Sequence, residues 1–184
     1  SLIDDRRDGF LQGVLVAPVS RAAIALGKIL GATTLAVAQS LVFLLLAPTA
    51  GIRLSFVSAA ATLAAMILIA FAVTSLGFWI AWRMESTQGF HAIMNLVLLP
   101  MLVLSGAFFP PSGSAGWLRA VMAVNPMTYA VDLLRYCLYF QHETTVITPA
   151  SSLPLAISVS VAFATITFAL AIASVTRESA KALQ

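Results

Sequence analysis

Four long apolar runs, separated by short polar stretches, dominate the pattern of the sequence. They extend over residues 29–47, 56–82, 91–109 and 153–175. A helix needs about 20 residues to cross roughly 30 Å of hydrocarbon, and each run is close to or above that length. Trp82 stands where the second run ends, as expected for an aromatic side chain at the edge of a bilayer. The pattern therefore predicts an all-α, polytopic membrane protein with four transmembrane helices in this chain.

The stretch between the third and fourth runs, residues 108–152, is too polar and too interrupted to span a membrane. Two consecutive prolines near its start remove backbone donors and end the apolar run. Two short amphipathic helices are predicted after them, over residues 117–124 and 126–140, with Asn125 as the cap between them. Fifteen helical residues reach only about 22 Å. We expect this segment to lie on the membrane or to enter it partway as a re-entrant segment.

The residues before the first run predict another short helix. The charged cluster DDRRDG, residues 4–9, must lie in water, and the apolar stretch 10–16 is cut by Pro18. Such a segment is typical of a helix on the membrane surface. Ser20 is a good N-cap for the first spanning helix.

Composition agrees with this interpretation and argues against a nucleic-acid partner and an intrachain disulfide. Sixty per cent of the 184 residues are hydrophobic and 9% are charged, which is typical of an integral membrane protein. The ten Lys and Arg residues are dispersed along the chain, so no nucleic-acid partner is expected. A lone cysteine, Cys137, excludes an intrachain disulfide.

The positive charges predict an orientation. Four spans put both ends of the chain on one side, and cytoplasmic segments are normally richer in Lys and Arg. With both ends inside, the cytoplasmic cations are Arg6, Arg7, Arg21, Lys28, Arg83, Arg177 and Lys181, against Arg53, Arg119 and Arg135 outside. We therefore expect a multi-pass protein with cytoplasmic ends and an extracytoplasmic 108–152 segment.

The sequence carries no constellation typical of an enzyme. Gly27 and Lys28 lack the other residues of a phosphate-binding loop, and His91 and His142 lack metal-ligand partners at the usual spacing. The runs 29–47, 56–82 and 153–175 contain no Asp or Glu, which argues against proton-coupled transport. An intramembrane enzyme is therefore disfavoured, and no catalytic, cofactor-binding or metal residue is expected in this chain.

Mildly polar residues inside the runs have two interpretations. Hydrogen bonding between helices is the simpler one, and a place on a substrate path is the alternative for Gln39 and Asn95. Gly27 and Gly31 have the spacing of a close helix approach. The other polar residues are Thr33, Thr34, Ser40, Thr62, Thr74, Ser75, Thr165 and Thr167.

The helix predicted after Asn125 has one polar face. Thr128, Asp132, Arg135 and Tyr139 recur at spacings of four, three and four, and Asp132 and Arg135 can form an ion pair. Two interpretations remain open. The face is either solvated, as on an interfacial helix, or has a gating or substrate-entry role carried by Asn125, Asp132 and Arg135.

Two segments resemble one known family. Residues 5–30, DRRDGFLQGVLVAPVSRAAIALGKIL, combine charges, a glycine, a short amphipathic helix and a proline with Ser-Arg and Gly-Lys at the start of a span. Residues 104–135, LSGAFFPPSGSAGWLRAVMAVNPMTYAVDLLR, end a span at S-G-x-x-F-P and continue with W-L and N-P-x-T-Y. This order resembles the membrane permease of type-2 ABC exporters, which handle drugs, lipids and polysaccharides.

The resemblance implies a larger assembly. Residues 1–184 would form a single permease domain that lacks the first two of six spans, and it would pair with a second permease copy as a homodimer. A separate ABC ATPase would bind ATP and Mg, so no cofactor is expected here. Its cleft would receive a coupling segment, residues 4–19, through Asp8, Gly9, Phe10, Leu11, Gln12 and Pro18. The family usually has a small hydroxyl residue and a glutamate where this chain has Phe10 and Gln12, so we expect Asp8 to supply the acidic contact.

The implied function is ATP-driven export of a drug-like or lipid-like amphiphile across the inner membrane. The apolar spans favour such a cargo. Export of a lipo-oligosaccharide or polysaccharide is the alternative within the family. A membrane assembly protein that transports nothing is the alternative outside it.

Overall fold

The computed structural model describes residues 20–108, 113–139 and 149–181. The regular structure in these ranges is helical, which confirms the predicted polytopic α-helical class. The coupling segment predicted over residues 4–19 lies outside the described residues. The helices are α1 Arg21–Leu46, a 3-10 turn Ala47–Ala50, α2 Phe56–Trp82, α3 Thr87–Val103, α4 Gly116–Val124, α5 Pro126–Leu138 and α6 Leu153–Lys181.

Serine caps set the start of the first three helices. The Oγ of Ser20 accepts a hydrogen bond from the N–H of Ala23 at 3.2 Å, as predicted. Ser55 and Ser58 form a reciprocal capping box at the start of α2, whose bounds agree with the predicted run. Ser86 caps α3 in the same way. Each cap satisfies N–H groups that would otherwise lack a partner.

Helices α1, α2 and α6 are long and apolar enough to cross a membrane, whereas α3 is shorter than predicted. The predicted run was 91–109, but α3 begins at Thr87 and ends at Val103. Its 17 residues span about 25 Å. Gly106 adopts a φ of +82°, a left-handed conformation that turns the chain away from the helix axis. Apolar composition alone did not reveal this turn, so the predicted C-terminal end of the run is wrong.

Helices α2 and α6 form the most extensive helix pair of the described residues. Small buried residues lie along both helices, and small residues allow two backbones to approach closely. On α6 these include Ala156, Ser160 and Ala164, spaced four apart and buried. The predicted approach at Gly27 and Gly31 is wrong within the described chain, because a Cβ added at either position would meet nothing within 4 Å.

Two apolar clusters lie at different heights along this pair. The first lies near the start of α1 and joins α1, α2 and α6; it consists of Ala25, Ile29, Phe78, Trp82, Ala171 and Val175. The second joins α2, α5 and α6 through Ala65, Leu133 and Ala156. The α2–α6 pair therefore connects the start of α1 with α5.

Candidate functional site

Helix α5 is the centre of the candidate site, because its polar side chains reach three neighbouring elements. It packs on α2 and α6, and it contacts the end of α3, the end of α4 and the residues just before α6. We call the polar group formed by Asn125, Thr128, Asp132, Arg135, Tyr136 and Ser151 the clasp, and we call α4 and α5 together the lid. The three sequence-predicted residues Asn125, Asp132 and Arg135 all belong to the clasp.

The clasp holds the end of α3 through backbone carbonyls. The Nδ2 of Asn125 donates to the carbonyl of Met101 at 2.7 Å. The Nη2 of Arg135 donates to the carbonyl of Gly106 at 2.7 Å. Carbonyls at and beyond a helix C-terminus have no intrahelical partner, and in a membrane each one left unpaired is costly. The lid therefore supplies hydrogen bonds that α3 cannot make for itself.

Side chains of the lid also satisfy its own turn. The Oγ1 of Thr128 donates to the carbonyl of Met122 at 2.7 Å, and the Tyr129 hydroxyl donates to that of Ala123 at 2.7 Å. The Oδ1 of Asn125 accepts from the N–H two residues later, at 3.0 Å. The Asn125 cap predicted from the sequence is confirmed. Its single amide thus caps α5 and binds the end of α3 at the same time.

Asp132 connects the lid to α6. Its Oδ2 accepts from both the N–H and the Oγ of Ser151, at 2.8 and 2.7 Å. The Tyr136 hydroxyl donates to the carbonyl of the same serine at 2.7 Å. Ser151 lies two residues before α6 begins, so the carboxylate also lies near the positive end of that helix dipole.

The predicted ion pair is present and largely buried. The Oδ1 of Asp132 lies 3.5 Å from the Nη1 of Arg135, and the two side chains are 1% and 15% exposed. A buried pair of this kind contributes little by itself, but removal of one partner leaves a lone charge and costs about 3–5 kcal/mol. The clasp is therefore sensitive to loss of either charge.

Burial decides between the two interpretations of the polar face of α5. Thr128 is 3% exposed and Asp132 is fully buried, so the solvated-face interpretation is wrong for both residues. The end of α3 and the start of α6 cover this face. The sequence of α5 alone could not show that cover, because an amphipathic helix looks the same whether its polar face meets water or protein.

The other two predicted site residues lie elsewhere. Gln39 is exposed on α1 and Asn95 is exposed on α3, and the fold does not bring either one to the clasp. Their place on a substrate path stays a prediction. The predicted coupling residues Asp8 to Pro18 lie outside the described residues.

Hydrogen bonding between spans is confirmed for one pair. The hydroxyls of Thr33 on α1 and Thr74 on α2 lie 2.8 Å apart. In the part of the chain that the structure describes, Thr34, Ser40, Thr165 and Thr167 instead donate to carbonyls of their own helices. A hydroxyl in a helix can bond the carbonyl four residues earlier, and that local bond needs no neighbour.

Sequence reasoning missed Gly106, Ser151 and the role of Tyr136. Gly106 lies inside the predicted run 91–109, so the pattern did not mark it as the end of a helix. Serines just before an apolar run are an ordinary start signal for a helix, and this signal locates Ser151. It does not show that α5 binds either residue. Tyr136 lies outside the polar face predicted for α5, so its spacing gave no sign of a bond to Ser151.

Comparison with known proteins gives the family. The ABC-2 type transporter family matches residues 1–139. The chain is 28% identical over 137 residues to the putative transport permease ycf38 of Cyanophora paradoxa, a match that covers 73% of this chain and 47% of the relative. It is 28% identical over 141 residues to the inner membrane transport permease YhhJ of Escherichia coli (strain K12), covering 76% of this chain and 37% of that protein. The chain thus spans about half the length, or less, of these curated relatives.

Proposed function

Because the chain belongs to the ABC-2 type transporter family, we propose that it is the membrane part of an ATP-driven exporter for a drug-like or lipid-like amphiphile. The observation that carries the proposal is the family match over residues 1–139, which includes the predicted coupling segment and every clasp residue except Ser151. In this proposal a separate ABC ATPase binds ATP and Mg. A second permease copy completes the translocation path in the inner membrane.

The proposed input of energy is the coupling segment, residues 4–19, which precedes α1 in the chain. ATPase closure would move this segment and, through it, the start of α1. Ala25 and Ile29 on α1 are buried against Phe78 and Trp82 of α2 and against α6. A displacement of α1 is therefore passed into the α2–α6 pair, because close-packed interiors transmit strain.

In this proposal, the lid is the part of the permease that moves in response. Ala65 and Ala156 of the α2–α6 pair hold Leu133 of α5, and the clasp then connects α5 to the end of α3. Movement of the pair would shift the lid and α3 together. We propose a gating role for Asn125, Asp132 and Arg135 on this basis.

The exposed amides of Gln39 and Asn95 are proposed to face the translocation path. An amide that faces hydrocarbon without a hydrogen-bond partner is unfavourable, by roughly 1–3 kcal/mol on protein scales. Both side chains are exposed on predominantly apolar helices of this chain. A path shared with the second permease copy would provide water or cargo as their partners.

The coupling proposal is tested in the full-length permease with its ATPase. Replacement of Gly9 and Leu11 by glutamate should abolish cargo-stimulated ATP hydrolysis and export in a complex that still assembles. Arg53→Glu is the matched control, because Arg53 is exposed in the turn before α2, on the other side of the proposed membrane. Unchanged hydrolysis and export in the Gly9 and Leu11 variant would refute coupling through this segment.

The cargo class is tested by ATP hydrolysis of the same complex with drugs, lipids and glycolipids. Stimulation by drugs or simple lipids supports the proposal. Stimulation by glycolipids alone would favour the oligosaccharide alternative. A permease that co-purifies with no ATPase, and shows no nucleotide-dependent change, would favour the assembly protein.

The orientation is tested by single cysteines at positions 114 and 179, in a background that lacks Cys137. The proposed arrangement has an extracytoplasmic lid and cytoplasmic chain ends. The two positions should then label from opposite sides of the membrane. Labelling from the same side would contradict the arrangement of four crossings.

A further inference from the structure

A cavity of about 400 Å³ lies between α1, α2 and α3, near the end of the bundle where α1 begins. Its volume falls within the roughly 300–1,000 Å³ of small-molecule sites. Ile29, Phe78 and Met94 contribute apolar wall, and Lys28 from α1 and His91 from α3 also line it. Such a site, mainly apolar with a few convergent polar groups, is typical of pockets that bind amphiphiles.

The two basic side chains lie near the starts of their helices, at the same end of the bundle. Lys28 is seven residues after the start of α1, or about 10 Å along the axis, and His91 is four residues after the start of α3, or about 6 Å. Arg83, whose guanidinium lies 4.5 Å from the centre of the Trp79 ring, is at the same end of the bundle, where α2 stops. Lys28 is half-buried and His91 is exposed.

The deeper wall offers little to a polar ligand. The Thr74 hydroxyl lines the cavity, but it already bonds Thr33 and the carbonyl of Ala70, both at 2.8 Å. Among the described residues, none that lines the cavity is acidic. A bound molecule would therefore keep its polar group near Lys28 and His91 and place an apolar part inside.

Gly77 sets the width of the cavity. A Cβ added there would lie 3.5 Å from the Cε of Met94, an ordinary contact distance. Alanine at this position is therefore tolerated. A leucine side chain would extend into the space between α2 and α3.

We propose that this cavity binds an anionic amphiphile, with a phosphate or carboxylate held between Lys28 and His91 and an apolar tail along Phe78 and Met94. Lysine supplies a positive charge, and histidine supplies at least one N–H donor in either protonation state. The proposal rests on the proposed function and narrows its amphiphilic cargo to one charge class.

The test measures binding to the purified full-length permease without an ATPase, by native mass spectrometry with three probes that share one tail. Oleate should bind more tightly than oleyl alcohol or oleylamine. Lys28→Gln and His91→Leu should each weaken oleate about tenfold and leave oleyl alcohol unchanged, because each removes a charge-assisted contact. Arg53→Gln is the control for loss of a cation at the other end of α1.

A second pair of variants tests the location independently. Gly77→Leu should abolish binding of oleate and oleyl alcohol alike, whereas Gly77→Ala should bind both as the original protein does. Equal affinity for oleate and oleylamine would overturn the proposal. So would oleate binding unaffected by Lys28→Gln, His91→Leu and Gly77→Leu.

Two further measurements identify the source of the anion. If it is cargo, oleate should stimulate ATP hydrolysis by the permease–ATPase complex, and Lys28→Gln should raise the half-stimulating concentration about tenfold. If it is a bilayer lipid, phosphatidylglycerol nanodiscs should compete with oleate for binding and phosphatidylcholine nanodiscs should not. Oleate should then leave the rate of ATP hydrolysis unchanged. Charge-selective binding to a permease whose ATPase responds to no drug, lipid or glycolipid would refute only the exporter function, whereas stimulation of ATP hydrolysis with charge-indifferent binding would refute only this cavity.

Discussion

Replacement of Asp132 by alanine should release the lid. The change removes the acceptor of two hydrogen bonds from Ser151 and leaves the Arg135 guanidinium without its carboxylate. The bond from the Tyr136 hydroxyl to the Ser151 carbonyl would then be the remaining polar link of the clasp between α5 and the residues before α6. The apolar contact of Leu133 with Ala65 and Ala156 remains.

The magnitude follows from burial. The Asp132 side chain is 1% exposed, so water cannot take over its role. Loss of one partner of a buried pair costs about 3–5 kcal/mol. At about 3 kcal/mol, the open form of the lid becomes roughly a hundred times more populated.

Cys137 provides a native probe of this opening. It is half-buried on α5, packed against the cluster of Ala65, Leu133 and Ala156. Burial raises the pKa of the Cys137 thiol, so less thiolate is present at neutral pH and maleimide labelling is slow. Asp132→Ala should accelerate labelling at least about tenfold, because opening exposes the thiol and removes the cause of its raised pKa. For this assay, any cysteine other than Cys137 in the full-length protein is first replaced.

Two variants make the test specific. Arg119→Ala removes an exposed cation on α4 and should change labelling less than about threefold. The double variant Asp132→Ala/Arg135→Ala leaves no lone charge. It should therefore destabilise the closed lid by about 1–3 kcal/mol less than the sum of the two single changes. A folded Asp132→Ala complex that labels at the original rate would refute the role of the clasp.

Three other predictions concern single contacts. Asn125→Asp keeps the cap acceptor but loses the donor to the α3 carbonyl, and should accelerate the same labelling through a cost of about 1–3 kcal/mol; an unchanged rate would show that this bond does not hold α3. Thr33→Val and Thr74→Val should show a coupling of about 0.6 kcal/mol in a double-mutant cycle on thermal unfolding, and strict additivity would contradict the bond between α1 and α2. Ala171→Leu, at a fully buried position of α6, should lower the free energy of unfolding by about 1–3 kcal/mol, whereas Ala169→Leu, exposed in the same helix, should change it by less than about 0.5 kcal/mol; equal shifts would refute close packing there.

Local signals predicted the local features of this protein. The bounds of α2, the caps at Ser20 and Asn125 and the Asp132–Arg135 pair all depend on residues within a few positions of each other. Such contacts follow from helix geometry alone. They needed no knowledge of how the helices pack.

The partners of the clasp could not be predicted in this way. Ser151 lies 19 residues from Asp132, and Gly106 lies 29 residues from Arg135. Contacts at that separation depend on where α3 and α6 lie relative to α5. The same limit explains why Gly27 and Gly31 misled: small residues at four-residue spacing permit a close approach, but the spacing does not say which helix face meets a neighbour.

The buried carboxylate also has a consequence for how the chain is made. Ribosomes synthesise Asp132 before Ser151 and before the whole of α6, so the carboxylate reaches the membrane while one set of its partners does not yet exist. Until α6 is inserted, Arg135 alone compensates the charge, and the lid has only α2 and α3 to pack on. We expect release of this part of the nascent chain from the insertion machinery to wait for α6. A ribosome stalled between the lid and α6 would leave a charged, half-covered helix, the kind of exposed defect that membrane proteases degrade.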